Sequence, residues 1–205
     1  MNNINTAYDA DYFNELYQQN NADPWQYEQR WYEARKRALT SSLLTHPKYQ
    51  YGLEIGCSTG VLSEQLAERC ENLDVLDAHP KAIEHAQNRL QALQHVRTLK
   101  AEIPTQLPNQ QYDLIVLSEV LYYLDQTSLN QVIDWLKISL MPQGCILACH
   151  WIHPIDHFNF TGRDIHQYLA KALPFHHYAQ IDDMDFQMDL WTYSEKSLAE
   201  QEGLI

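Results

Sequence analysis

Two hydrophobic rhythms alternate along the chain. Short, nearly unbroken apolar runs occur at "GLEIG" (52–56), "LDVLD" (73–77), "VRTLKAEI" (96–103), "YDLIVLSEV" (112–120) and "GCILACHW" (144–151). Runs of this kind predict strands buried on both faces. Between them lie segments with helical spacing: "VLSEQLAERC", "PKAIEHAQNRLQAL", "SLNQVIDWLKISL" and, later, "GRDIHQYLAKAL". Strand alternating with helix implies a parallel sheet covered on both sides. The tail breaks the rhythm. "FHHYAQID" and "DFQMDLWTYS" follow one another with no helix between, so they must pair antiparallel.

Before the first strand, "YDADYFNELYQQN" (8–20) reads as a short amphipathic helix with Tyr8, Tyr12 and Leu16 at fourfold spacing. "DPW" at 23–25 supplies an N-cap aspartate and a proline at a first helical position. The helix it opens should run from Trp25 to near His46-Pro47. No repeat or linker interrupts the pattern. The expectation is one domain over 1–205, with an N-terminal helical cap (1–46) on an α/β core (51–205).

The loop after the first strand carries candidate chemistry. It reads Gly56-Cys57-Ser58-Thr59-Gly60. A dinucleotide fingerprint has glycine where Ser58 stands, so that backbone can approach a pyrophosphate. The loop is thus a tight strand-to-helix turn less suited to a dinucleotide. Asp77 ends the second strand, where an acid accepts hydrogen bonds from ribose hydroxyls, and Glu54 lies inside the first strand. Glu54, Gly56, Gly60 and Asp77 together point to a nucleoside cofactor.

Composition narrows the partners. The formal charge is −13, from 27 acidic and 14 basic residues. Such a surface repels phosphate backbones and disfavours a nucleic-acid substrate, while admitting a cationic or neutral one. No apolar run approaches the roughly 18 residues of a membrane span. The polar start "MNNINTAYDADYF" lacks a signal-peptide pattern, so a cytoplasmic location is expected. Cys57, Cys70, Cys145 and Cys149 form no CxxC pair and fit reduced thiols. His150, His153 and His157 are spaced H-x2-H-x3-H, but they begin on a strand and include Pro154, so a helical metal site fails and no metal is expected.

The serial segments "LEIGCSTGVLSEQLA", "LDVLDAHPKAIEHA", "AEIP" and "YDLIVLSEVLYYL" resemble a class I S-adenosylmethionine (SAM) methyltransferase. That resemblance implies a Rossmann-like fold: a mostly parallel seven-stranded sheet with a terminal antiparallel hairpin. "DPWQYEQRWYEARKRALT", "EIGCSTG" and "HWIHPIDHFNFTGRDIH" resemble the nodulation protein S family, which methylates the free amine of a deacetylated chitooligosaccharide and leaves S-adenosylhomocysteine (SAH). By this resemblance Gly56, Cys57 and Gly60 back the methionine part, Asp77 holds the ribose and Ala78 flanks the adenine. Glu102 and Ile103 meet the adenine edge, and Ser118 and Glu119 lie beside the methionine amine and the methyl.

In the cap, "WQYEQRWYEARK" places Trp25, Arg30 or Trp31, Tyr32 and Arg35 within three turns. Tyr32 and Arg35 share a helix face, and a guanidinium there suits the cofactor carboxylate. Methyl transfer to an amine needs in-line geometry, and a base only if the amine arrives protonated. Glu119, Tyr122, Tyr123, His150 and His153 follow strands four and five and are the candidates; Glu119, Tyr122 and His150 are placed first. The acceptor is expected to be a small molecule or oligosaccharide. Two other classes stay open: an NAD-dependent oxidoreductase, which Ser58 and the hairpin weaken, and a SAM-binding protein without turnover.

Overall fold

The computed structural model describes residues 10–19 and 23–205. Seven strands form one sheet: β1 (Tyr49–Ile55), β2 (Cys70–Asp77), β3 (Val96–Lys100), β4 (Tyr112–Ser118), β5 (Leu140–Trp151), β6 (His176–Asp182) and β7 (Phe186–Thr192). Their order is β3-β2-β1-β4-β5-β7-β6. The first five are mutually parallel, and β7 pairs antiparallel with both β5 and β6. The expected seven-stranded, mostly parallel sheet with a terminal antiparallel hairpin is therefore present. Helices α3 (Val61–Ala67), α4 (Pro80–Leu90), α5 (Gln126–Ser139) and α6 (Gly162–Ala172) provide the crossovers. α1 (Ala10–Gln19) and α2 (Trp31–Leu43) precede the sheet, and a final turn, α7 (Leu198–Gln201), follows it.

The apolar runs are continuous because successive side chains point to opposite faces and both faces are covered. In β4, Ile115 and Leu117 join one core with Leu53, Ile55, Ile146, Leu129, Leu136 and Leu169. Leu114 and Val116 join the other with Leu66, Val75, Ile83, Leu147 and Leu190. One acid inside this sheet is neutralised in place. Arg97 donates two bonds to Asp74, at 2.8 and 2.6 Å, and Tyr112 donates a third at 2.8 Å. All four cysteines are buried thiols.

The cap differs from its expected form. Residues 23–30 are turns, and the second helix starts at Trp31. Gln26 takes a left-handed φ of 57° and its amide bonds back to Asp23 O, while its own carbonyl receives Gln29 N and Arg30 N. A helix cannot propagate through that left-handed residue. In α1, Tyr8 lies outside the described residues, and the most buried side chain is Tyr17. The inward face is wider than the expected stripe: Phe13 and Tyr17 join Tyr12, which packs against Tyr123 and Phe158, on the cavity side.

α6 approaches β5 unusually closely. A Cβ on Gly162 would stand 2.2 Å from Trp151 O and 2.9 Å from His150 Cβ. Backbone cannot yield to that contact, so Gly162→Ala should lower stability by about 1–3 kcal/mol. The check is the urea midpoint at unchanged m-value; an unaltered midpoint would contradict the packing.

Candidate functional site

A cavity of about 480 Å³ opens at the carboxyl ends of β1, β2 and β4, within the range of small-molecule sites. The loop after β1 forms its floor. Gly56 and Gly60 have φ of 83° and 79°, values that glycine adopts at no steric cost. Gly56 N and Cys57 N donate to Leu76 O at 2.8 and 3.0 Å, fastening the loop to β2. Ser58 also has positive φ, 47°, so it does the backbone work of the missing glycine. Its N–H donates to Asp77 Oδ2 at 2.9 Å, and its hydroxyl meets Tyr17 Oη at 2.9 Å.

Asp77 Oδ1 accepts from His79 N at 2.8 Å. Burial raises its pKa, against the opposing effect of the His79, Ser58 and Ala78 amides. Each oxygen keeps acceptor capacity, and the residue lines the cavity beside Ala78, Ala101, Glu102 and Ile103. Glu102 stands at the rim, exposed, with its N–H taken by Gln106 Oε1 at 2.7 Å. Glu54 and Cys57 lie behind the loop, outside the main cavity, where they line a smaller recess. Glu54 accepts from Ser63 Oγ at 2.5 Å, and burial pushes its carboxyl up to about 7 although that bond opposes the shift. Gly60 faces neither space: it caps α3, and a Cβ there would press on Ala86. Glu54, Cys57 and Gly60 therefore support the loop from behind.

At the other end, Glu119 has φ of 56° and both oxygens engaged. Lys36 Nζ donates to Oε1 at 2.6 Å, and Tyr122 Oη and Trp151 N donate to Oε2 at 2.7 and 2.8 Å. Lys36 also reaches Glu33 Oε1 at 3.2 Å and lies 5.0 Å over the Tyr32 ring. Burial disfavours the Lys36 charge, but Glu119 and the other nearby anions outweigh it and raise its pKa. Glu33 is raised by burial, with Lys36 pulling the other way. Ser118, Tyr32, Tyr27, Tyr123 and Trp151 complete this end.

Two expected residues are elsewhere. Arg35 does not line the cavity: its guanidinium bonds Asp183 at 2.8 Å and lies over Phe186. On a helix starting at Trp31, Lys36 is the residue that shares the inward face with Tyr32. His150 is fully buried beneath the wall, against Leu121 N and His166. Burial holds its pKa well below the ordinary imidazole range, and a ring so enclosed cannot meet an acceptor. His153 pairs with Asp185 at 3.0 Å near the rim, and the three histidines do not converge. Lys36, Glu33, Tyr17 and Tyr27 went unnoticed in the sequence. The fourfold spacing of Tyr32 and Lys36 was the available signal for one of them.

α1 roofs the cavity. Tyr17 stacks on His79 at 4.3 Å, Asn14 meets His79 Nε2 at 3.2 Å, and Phe13 packs edge-on against Tyr123 at 5.0 Å. Two buried polar atoms, Tyr32 Oη beside the cavity and Arg37 Nε beside its recess, have no hydrogen-bond partner among the described residues. An unpaired buried group costs about 1–3 kcal/mol, which a polar ligand would offset. A diol acceptor, a flat apolar slot and cationic donors at the far end fit the ribose, base and amino-acid tail of SAM.

The fold is that of the class I, SAM-dependent methyltransferases, and the site has the shape and polarity their cofactor requires. A family model for nodulation protein S (NodS) matches residues 11–148, and the chain belongs to that family. It is 32% identical over 124 residues to nodulation protein S of Sinorhizobium fredii, a match covering 60% of this chain and 57% of that one. The chain thus spans little more than half the length of this relative. The solved structure of N-methyltransferase NodS from Bradyrhizobium japonicum WM9, in complex with SAH, is 27% identical with TM-score 0.77, covering 89% of this chain and 98% of that one. A structure from Pseudomonas syringae, provisionally described as a methyltransferase, is 41% identical with TM-score 0.71, covering 80% and 99%.

Asp77→Ala removes a cavity-lining carboxyl with the capacity to accept from a diol, and should weaken SAH binding at least tenfold, on the scale of a lost charged hydrogen bond of about 1.5–3 kcal/mol. Calorimetric titration of the folded variant checks it; an unchanged Kd would remove Asp77 from the ribose site.

Proposed function

We propose that the protein moves a methyl group from SAM to the free amine of an amino sugar or deacetylated chitooligosaccharide-like acceptor. The observation that supports an amine is the Glu33–Lys36–Glu119 cluster in an aromatic-walled cavity. When both carboxyls are ionised, the cluster holds two negative charges about one positive charge. A protonated amine completes the balance, whereas an anionic acceptor would enter a site of its own sign. Tyr27, Tyr32, Tyr123 and Trp151 offer flat faces for a sugar ring and electron-rich faces for a methylated cation.

In this reading Asp77 holds the ribose, and Ala78, Glu102 and Ile103 flank the adenine. Tyr32 Oη, on the cavity wall and without a partner among the described residues, offers a donor to the methionine carboxylate, in the role expected of Arg35. Bound SAM supplies a methyl already activated on a sulfonium. The protein aligns the amine, sheds its proton and excludes water. Glu119, saturated by Lys36, Tyr122 and Trp151, fixes the geometry; it is poorly free to take a proton. Glu33 meets Lys36 through Oε1 alone and is the better proton acceptor. A rival NAD-dependent activity has no support in this site, where Ser58 spans between Asp77 and Tyr17 in place of a pyrophosphate-facing glycine.

Labelled SAM should methylate deacetylated chitooligosaccharides and leave fully acetylated ones untouched, because an amide lone pair is delocalised. Transfer to a hydroxyl or carboxylate acceptor, with deacetylated sugars inert, would overturn the amine reading. Tight SAH binding with every acceptor inert would favour the non-catalytic alternative.

Glu33 must be ionised to accept a proton, and its pKa is raised, so turnover should fall as pH drops through a value above the ordinary glutamate range. Glu33→Gln should lower kcat on the order of 100-fold and abolish that acid limb, with SAH affinity retained. A variant with the wild-type pH–rate profile would exclude Glu33.

A further inference from the structure

A buried imidazole chain runs from the cavity wall towards the surface, and the mechanism above does not use it. Leu121 N donates to His150 Nε2 at 3.3 Å, His150 Nδ1 meets His166 Nε2 at 3.1 Å, and His166 Nδ1 meets Asp189 Oδ2. Asp189 also accepts from Gln187 Nε2 at 2.8 Å and meets His177 Nε2 at 2.5 Å. His150, His166 and Asp189 are almost wholly buried, and His177 is the half-exposed outer end.

One end of the chain has no choice of direction. A backbone N–H can only donate, so His150 Nε2 must offer a lone pair and its proton sits on Nδ1. That proton needs an acceptor, so His166 Nε2 is bare and the His166 proton sits on Nδ1. Asp189 is the acceptor that completes the series. Burial raises the Asp189 pKa, but the bonds from His166, His177 and Gln187 outweigh it and hold the carboxyl low. Every bond in the series is then satisfied with both imidazoles neutral. A charged His166 would donate to His150, force that ring's proton onto Nε2 and set it against Leu121 N–H.

We propose that Asp189 and His166 are positioning residues that fix the His150 tautomer, and through it the turn Leu121–Tyr123 that presents Tyr122 to Glu119. Gly162 permits the device, because only a glycine lets α6 approach β5 closely enough for His166 to reach His150. Two walls of the acceptor end hang from His150: its Nε2 anchors the turn, and its strand neighbour Trp151 supplies an amide to Glu119. A wrong tautomer leaves a buried N–H facing another N–H. The turn then loosens at Tyr122, with no direct effect on Asp77 or the adenine wall.

The proposal rests on the methyltransferase reading for its turnover arm alone. Protein labelled with 15N and 13C at histidine, bound to SAH, gives the tautomers directly, since bare and protonated ring nitrogens resonate far apart and each ring is assigned through its own carbons. The expected wild-type result is Nδ1–H with bare Nε2 for both His150 and His166. A wild-type His150 that carries its proton on Nε2, or is charged, overturns the proposal without any variant. Asp189→Ala should bring the His150 nitrogen shifts towards each other as tautomers interchange. It should lower kcat about tenfold, the scale of one buried N–H left without an acceptor, with SAH Kd within about twofold. Unmoved His150 shifts in folded Asp189→Ala also overturn it. Failure of SAH to bind the wild type would sink the methyltransferase reading instead, and leave the tautomer measurement on the free protein to decide this one.

Discussion

The carboxylate of Glu119 ties one end of the cavity together. Three donors reach it from three places: Lys36 on α2, Tyr122 on the turn after β4, and the Trp151 amide at the end of β5. Its own backbone sits at a positive φ, a conformation that costs free energy and persists where surroundings over-determine it. Lys36, nearly buried, would be costly to bury as a charge without Glu119 and Glu33 beside it. Lysine and glutamate thus justify one another's burial, and their pairing pins the N-terminal cap to the sheet where the cavity opens.

The sheet and the cofactor floor were legible from sequence because they depend on short-range patterns. Strand runs, the two glycines and Asp77 sit within a few residues of the turns they control. The helix start at Trp31 was hidden because Pro24 after Asp23 is a strong start signal, yet the backbone turns back at Gln26 through bonds within residues 23–30. Arg35 and Lys36, three and four residues after Tyr32, both satisfy helical spacing, and only their tertiary partners, Asp183 for Arg35 and Glu119 for Lys36, decide which one faces the cavity. His150 was misplaced for another reason. Nothing within "ACHWIHP" reveals that His166, 16 residues later, and Asp189 lie against it; those contacts arise from α6 packing and the antiparallel β5–β7 register.

The cap and the cofactor loop are coupled through residues that a sequence pattern treats separately. Ser58 stands where a dinucleotide loop carries glycine, and it joins Asp77 by its amide and Tyr17 by its hydroxyl. Tyr17 in turn stacks on His79, which follows Asp77 and Ala78 in the loop after β2. α1 is thereby fastened to both loops that would hold a nucleoside.

That coupling bears on how a ligand reaches the cavity. The helix that covers the opening is only ten residues long, and isolated helices of that length are marginal in water. Its order must come from the contacts beneath it, chiefly Tyr17 on His79 and Ser58 and Phe13 on Tyr123. Each of these contacts lands on a residue that lines the cavity or adjoins one that does. A ligand that steadies Asp77, Ser58 and Tyr123 therefore also steadies the surface on which α1 rests. Roof and floor then gain order together, which excludes water from the cavity. With α1 and α2 resting on a parallel sheet, the sheet supplies a fixed frame for the cofactor.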